Sequence, residues 1–508
     1  MKNKKALIAC LAALVVIAAV LLIWQPWKKT ETPAAAPAVV EEAKEKAEEA
    51  KEAVKDAAEE GKAAVEGAAE EVKEAAEGAA EEVKETVEEA KEAVEGAAEE
   101  VKETVEGAKE TVEEAAAAAA GTAAETAAEP AAEAKVKLGV ILLHDEDSTY
   151  DLNFINGVKD AQKALGLSDD DVIIKRNIPE SNECYEAAKD LVDEGCTIVF
   201  ADSFGHESFM LQAAKDFPNV EFCHATGTSA HVEKLANFHN AFAAIYEGRY
   251  LAGIAAGMKL NELKEAGKLK GEKPLMGYVG AFTYAEVVSG YTSFYLGAKS
   301  VCPDVQMKVQ FTGSWYDEKE EKAAAEALIA AGADLISQHA DSMGAPTACE
   351  NAGIPDVSYN GSTVESCPNT FIVASRIDWA PYFEYIVNQK KNGQAIDTDW
   401  TGTIATGSVV LTEVNEKAAA KGTQEAIDAK KAEFAAGTAH VYDTATEGFI
   451  TVGGAAMAED WKPGEGTDAA FVEGTKIVYD GYFHESEYRS APYFDAGIDG
   501  IELLNQKF

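Results

Sequence analysis

An α/β fold in two lobes, carried behind a membrane-spanning segment and a long helical stalk, is the architecture this sequence predicts. Three observations point to it: one apolar run of 19 residues near the amino terminus, a repeat of Ala, Glu, Lys and Val over residues 41–120, and, from residue 135, short apolar runs alternating with helical patterns. At 508 residues the chain exceeds one ordinary domain. Its 45 Lys and Arg against 89 Asp and Glu leave a net charge of −44. That charge argues against a nucleic-acid partner, because polyanions are repelled without a locally basic face. Residues 41–134 carry −21 and residues 1–40 carry +4, so −27 remains for residues 135–508. A hydrophobic content of 47% excludes disorder throughout, and a single long apolar stretch excludes a polytopic membrane protein.

The first element, residues 1–29, reads as a signal anchor. Ala6 to Trp24 is uncharged, and 19 helical residues reach roughly 28 Å, about one bilayer core. Lys2, Lys4 and Lys5 before it keep the amino terminus cytoplasmic, and Trp24 and Trp27 sit where interfacial aromatics belong. A cleaved signal peptide is the competing reading. It fits less well, because the apolar run is long and the nearest Ala-x-Ala, Ala34 to Ala36, lies well past it. A lipoprotein at Cys10 has the hydrophobic stretch on the wrong side of the cysteine. All three readings place residues 30–508 outside the cytoplasmic membrane.

Residues 30–134 form the second element. The motif EGAAEEVKE recurs at Glu66–Glu74, Glu77–Glu85 and Glu95–Glu103, and Val54, Val65, Val72, Val83, Val94, Val101 and Val112 are spaced 11, 7, 11, 11, 7 and 11. Both intervals are close to whole numbers of α-helical turns, so a narrow Val/Ala stripe runs along a helix of strong helix formers. The prediction is a stalk or spacer with a seam that leaves self-association in a coiled coil open. Ala115 to Ala134, with Gly121 and Pro130, reads as a link to the next unit.

The third element, residues 135–508, alternates strands with helices. Lys137–Leu143, Cys196–Ala201 and Val220–Cys223 read as strands, with helices at Asn153–Leu165 and Ser208–Asp216. The pattern restarts at Leu275–Gly280 and continues through Val305–Phe311, Asp334–Ser337, Val357–Tyr359 and Phe371–Ala374, with helices at Glu318–Ala331 and Pro346–Ala352. Fully apolar strands between helices argue for parallel sheets covered on both faces. Two successive units give two lobes, the first over about 137–265 with later return segments, the second over about 274–375. Ligands of open α/β sheets bind beyond the carboxyl ends of the strands, and two facing lobes put those ends in a cleft.

Nothing in the chain asks for an enzyme or a resident cofactor. There is no Gly-x-Ser-x-Gly elbow, no phosphate-binding P-loop and no HExxH helix. His224 and His231 are seven apart without a third ligand, so no metal site is expected. Gly253 to Gly257 (GIAAG) reads as close helix packing. Six cysteines follow Cys10 and admit 15 connectivities. Outside the cytoplasm Cys349 with Cys367 and Cys184 with Cys223 are the expected pairs, unless the source keeps them reduced.

Several stretches then resemble one family. Glu247-Gly248-Arg249-Tyr250-Leu251-Ala252-Gly253, Gly313-Ser314-Trp315-Tyr316-Asp317, Gly332-Ala333-Asp334, Gln338-His339-Ala340-Asp341-Ser342 and Phe222 to Gly227 (FCHATG) are similar, in order and spacing, to segments of the BMP family (basic membrane protein, purine-nucleoside-binding) of ABC-transporter substrate-binding proteins. The likeness runs from about Lys137 to at least Tyr385; the anchor and stalk lie outside it. It implies a type I periplasmic-binding-protein fold, a purine nucleoside or base as ligand, and ABC permease and ATPase subunits as partners. It also implies site residues. Tyr150 and Trp315 fall where the family places ring-stacking aromatics, Asp151 where an Asn reads the base edge, Asn360 near an Asp that binds the ribose, and Arg376 near a Lys. Asp341 and Ser342, at the end of a strand, are expected in the cleft, with a helix cap as the alternative; Phe204, His224 and Trp379 complete the set. A flat, weakly polar purine suits such aromatic faces. The competing function is an envelope-spanning structural or sensory protein whose globule is a cap or sensor.

Overall fold

The computed structural model describes residues 135–459, 461 and 476–506. The predicted anchor and stalk lie outside the described residues. The chain divides into two units at Glu129 and Pro130, and the fold described here belongs to the second. Among the described residues no helix is long and apolar enough to cross a membrane.

Lobe 1 is built on a six-stranded, fully parallel sheet. Its strands are β1 (Leu138–Ile141), β2 (Val172–Lys175), β3 (Ile198–Ala201), β4 (Glu221–Ala225), β5 (Phe238–Ala243) and β11 (Asp399–Gly402), in the order β11-β5-β4-β3-β1-β2. Lobe 2 is built on seven strands. These are β6 (Leu275–Gly280), β7 (Gln306–Phe311), β8 (Leu335–His339), β9 (Asp356–Tyr359), β10 (Phe371–Ile377), β12 (Val409–Leu411) and the strand Ile501–Leu503. Only β12 runs antiparallel to its neighbour. β1 and β3 are buried at every position, and helices cover both sheets. Continuous burial explains the unbroken apolar runs, since a strand covered on both faces has no solvent side to alternate with.

Three segments connect the lobes. β5 ends at Ala243 and leads into α5 (Ile245–Glu265); β10 ends at Ile377 and leads into α9 (Ala380–Lys391); residues 403–408 join β11 to β12. The segments are bonded side by side: Ala244 N–H donates to the Gly402 carbonyl (2.8 Å) and Asp378 N–H to the Ser408 carbonyl (2.7 Å). The sequence boundary needs correction here. Helix Ile245–Glu265, expected in lobe 1, packs with its partner α6 (Ala285–Val301) into the core of lobe 2, so the first crossing comes at Ala244. The reason is the glycine face the sequence flagged. A Cβ on Gly253 would lie 2.1 Å from the Phe294 carbonyl oxygen, and one on Gly297 would lie 2.0 Å from that of Tyr250. The two helices touch backbone to backbone, which side chains at those positions forbid.

The expected disulfides are absent among the described residues: Cys184, Cys196, Cys223, Cys302, Cys349 and Cys367 are all free and buried. Each packs as a small apolar side chain in a lobe core. Burial pushes the Cys196 thiol up to about 11 and that of Cys367 to about 12, so both stay protonated.

Candidate functional site

The carboxyl ends of the two sheets face each other across a cleft of about 520 Å³, counting the part open to solvent. Lobe 1 supplies the loop after β1 and the first turn of α1 (Thr149–Leu165), with Leu143, His144, Tyr150 and Asp151, the loop after β3, with Ser203 and Phe204, and Thr226 after β4. Lobe 2 supplies Tyr284 and Glu286 after β6, Trp315 after β7, His339 and Asp341 at the end of β8, and Tyr359 and Asn360 at the end of β9.

One wall is aromatic. Phe204 of lobe 1 stacks on Tyr284 of lobe 2 with centroids 4.7 Å apart at 24°, and Tyr284 stacks in turn on Phe282 at 5.1 Å. Trp315 meets Phe282 edge to face at 5.0 Å. Tyr150 donates its hydroxyl to the Asp202 carbonyl (2.8 Å) and rests edge-on against Phe154. Its ring is therefore fixed by a bond at one end and core packing at the other.

The floor is acidic. Ser148 caps α1 by accepting from Asp151 N–H (3.2 Å), and its hydroxyl donates back to the Asp151 carboxylate (2.6 Å). The backbone N–H of His144 donates to the other oxygen (2.7 Å). Burial opposes the charge on Asp151, but hydrogen bonds from the His144 imidazole, the Ser148 hydroxyl and the His144 backbone outweigh it and hold that carboxyl below the usual range. Beneath it Asp202 goes the other way: burial, then the charge of Asp151, push it well up, so Asp202 keeps the proton of the pair. Asp341 is pushed well up as well, by burial and then by Glu321, itself raised to about 7 by burial. Asp341 accepts from Asn360 Nδ2 (3.0 Å). Asn360 sits at φ +64°, the left-handed region that Asn tolerates better than branched residues.

The lobes are closed on one another. Thr149 donates through both its N–H and its hydroxyl to the Asp341 carbonyl (3.1 Å each), and buried Asn153 donates through Nδ2 to the Asn360 carbonyl (2.8 Å). These bonds tie the first turns of α1 to the ends of β8 and β9. Tyr150 and Asp151 lie on the same turns, so their position follows closure.

Of the residues singled out in the sequence, Tyr150, Asp151, Phe204, Trp315, Asp341 and Asn360 border the cleft. The other four are placed elsewhere. His224 is fully buried one layer down, with Nε2 donating to the Ser203 carbonyl (2.7 Å) and burial lowering its affinity for a proton. Trp379 stacks on Phe154 at 4.4 Å in the lobe 1 core. Ser342 takes the helix-end role, its hydroxyl accepting from Gly344 N–H (3.1 Å) at the start of α8 (Gly344–Ala352). Arg376 pairs with Asp378 (3.5 Å) beside the second crossing. Tyr284, Glu286, His339 and Tyr359 border the cleft too, as do Leu143, His144, Ser203 and Thr226. The first four stand at or just past the end of a strand, and Tyr284 and Glu286 follow β6 as Tyr150 follows β1.

A family model described as "Bmp: ABC transporter substrate-binding protein PnrA-like" matches residues 137–443. A purine-binding protein of Brucella abortus is 34% identical over 226 residues, 44% of this chain and 60% of that protein. TsgA13 of Haloferax volcanii, provisionally described as an ABC transporter glucose-binding protein, is 32% identical over 217 residues, 42% of this chain and 51% of that protein. The match thus spans 60% or less of the length of these relatives. An ABC transporter solute-binding protein structure from Aeropyrum pernix aligns with a TM-score of 0.52 at 15% identity, covering 62% of this chain and 94% of that one. At that identity the likeness concerns the fold alone.

Proposed function

Because the chain belongs to the Bmp family of PnrA-like ABC transporter substrate-binding proteins, we propose that its two-lobed unit is the extracytoplasmic receptor of an ABC importer and binds a purine nucleoside or base. The observation that carries this reading is the cleft itself. Rings from both lobes, Tyr150 and Phe204 on one side and Tyr284 and Trp315 on the other, border a single space whose floor is polar. A planar heterocycle gains from contact with such rings, and a few buried polar groups fix its edge. Because both lobes contribute, ligand contact favours the closed arrangement over an open one, and a permease can read that difference.

The cell-side arrangement follows from residues outside the described ones. In this reading Ala6–Trp24 is a single-pass tether and the Ala/Glu/Lys/Val repeat a spacer, both outside the described residues. The binding unit makes no bonds and breaks none; its partners are the permease and ATPase subunits that take the solute onward.

A receptor is stabilised by its ligand through mass action, by about 2.7 kcal/mol at a hundredfold excess over Kd. Adenine, guanine, adenosine, guanosine and inosine tested one at a time against the purified protein are expected to include at least one that raises the melting midpoint by several degrees. If none moves it, the purine reading fails.

A further inference from the structure

Phe204 and Tyr284 belong to different lobes and meet ring on ring, with centroids 4.7 Å apart and planes at 24°. A third flat ring between them would need two van der Waals contacts, roughly 7 Å from face to face. The ligand therefore does not lie between this pair, although both residues border its cleft. Phe204 comes from the loop after β3 and Tyr284 stands just before α6, and each is half-buried. Phe282 backs Tyr284 at 5.1 Å and 22°, so the stack runs on into lobe 2.

The loop that carries Phe204 is fixed from outside the cleft. Glu180, between β2 and α2 (Asn182–Asp193), accepts through Oε1 from the Ser203 hydroxyl (2.6 Å) and from the Gly205 N–H (2.7 Å). His224 Nε2 donates to the Ser203 carbonyl (2.7 Å). A Cβ on Gly205 would lie 2.6 Å from the Glu180 carboxyl carbon, so the loop sits directly on that side chain. Both neighbours of Phe204 are thus held, and Glu180 is not among the described residues that line the cleft. Thr149 and Asn153 of α1 tie the lobes by hydrogen bonds at the ends of β8 and β9. The Phe204–Tyr284 stack ties a second loop of lobe 1 to the start of α6.

We infer that Phe204 and Tyr284 form an interlobe latch, with Glu180 as its positioning residue, that holds the lobes shut over the ligand and sets the rate of its release. This rests on the receptor reading of the cleft and adds its regulation, whichever ligand the cleft takes. The rings touch only when the lobes are closed, because one stands on each. In an open arrangement each ring faces water, so stacking and burial stabilise the closed arrangement alone. Entry into the open cleft does not pass through the stack, whereas release must first break it.

The test is release of radiolabelled adenosine, with labelled glucose in a parallel arm, from preloaded full-length protein chased with unlabelled ligand. Phe204→Ala and Tyr284→Ala are each expected to speed release about three- to tenfold and to leave association within about twofold of native. The double variant should release no faster than about twice the faster single, because the second change finds no partner to lose. Independent ligand contacts would multiply instead. Glu180→Ala should speed release as well and add nothing to Phe204→Ala, while Glu180→Gln, which keeps the acceptor oxygen, should release at the native rate. A separate arm needs no ligand. Phe204→Cys/Tyr284→Cys treated with a short bifunctional methanethiosulfonate should cross-link within one chain, with the native chain, whose described cysteines are buried, as control. Protein cross-linked after loading should keep its label through the chase. Effects that multiply in the double variant, a Glu180→Ala variant with native release, or an absent cross-link would overturn the latch and leave the purine reading intact. The release pattern seen with glucose and not with adenosine would support the latch and overturn the purine reading. If neither probe is retained, the purine reading fails and the cross-link decides the latch.

Discussion

Gly297→Ala is expected to lower stability by about 2 kcal/mol or more, and with it ligand affinity. Alanine is the better helix former by about 1 kcal/mol, so an exposed glycine at this position would be improved by the change. Here the steric side wins. The added methyl would lie 2.0 Å from the backbone oxygen of Tyr250 on the facing helix, and no rotamer change relieves a clash with backbone. α5 and α6 must move apart by more than an ångström through a core in which Leu251, Phe294 and Leu296 are fully buried, and overpacking of that kind costs typically 1–3 kcal/mol. The displacement reaches function because α6 begins beside the cleft, where Tyr284 precedes its first turn and Glu286 lies within it. Thermal unfolding checks the first effect and ligand titration the second; an unchanged midpoint would mean that the helices are not in contact as described.

Trp315→Ala is expected to weaken binding of a purine ligand by about 1–3 kcal/mol, the usual worth of one base–aromatic stack, or roughly five- to 150-fold in Kd. The ring borders the cleft, half-buried, and packs against Phe282 at 5.0 Å and Tyr284 at 6.0 Å. Its loss removes ligand contact while leaving the lobe 2 sheet intact, so the ligand-free melting midpoint should move much less than the affinity does. Trp379→Ala is the control, because that indole is fully buried in the lobe 1 core and should act through stability. If Trp315→Ala binds as tightly as the native protein, Trp315 is no part of the site.

Much of this was legible in the chain, for a physical reason that also marks where it ceased to be. β1, β3 and β6 announce themselves because both faces are covered, which demands unbroken apolar runs, whereas β7 (QMKVQF) alternates, with Met307, Val309 and Phe311 buried and Gln306, Lys308 and Gln310 more exposed. β5 (FHNAFA) escapes that reading because it carries His239 and Asn240, whose polarity is satisfied inside. Asn240 Oδ1 accepts from Ala230 N–H (2.7 Å) and its Nδ2 donates to Glu207 (3.1 Å). β2 escapes for the opposite reason, being a half-buried edge. α5 and α6 lack a one-sided stripe because they are buried on most faces, where amphipathic periodicity has nothing to report.

The cleft follows the same logic. The rule that ligands meet the carboxyl ends of strands brings Tyr150, Phe204, Trp315, Asp341 and Asn360 to the right edge, and the structure gathers them there. Tyr284 and Glu286 obey that rule after β6 as fully as Tyr150 does after β1. What the rule does not carry is depth. His224 ends a strand and still lies under the loop that bears Phe204, and Trp379 follows β10 but turns into the lobe 1 core against Phe154. Which layer a side chain occupies depends on packing between segments far apart in sequence.

The central claim is a two-lobed clamp holding a planar purine, and the most direct measurement is identification of whatever it already holds. Mass spectrometry of small molecules released on denaturing the freshly purified full-length protein should find a purine nucleoside or base in amounts approaching one per chain. A hexose at that stoichiometry, or any ligand without an aromatic ring, would contradict the account.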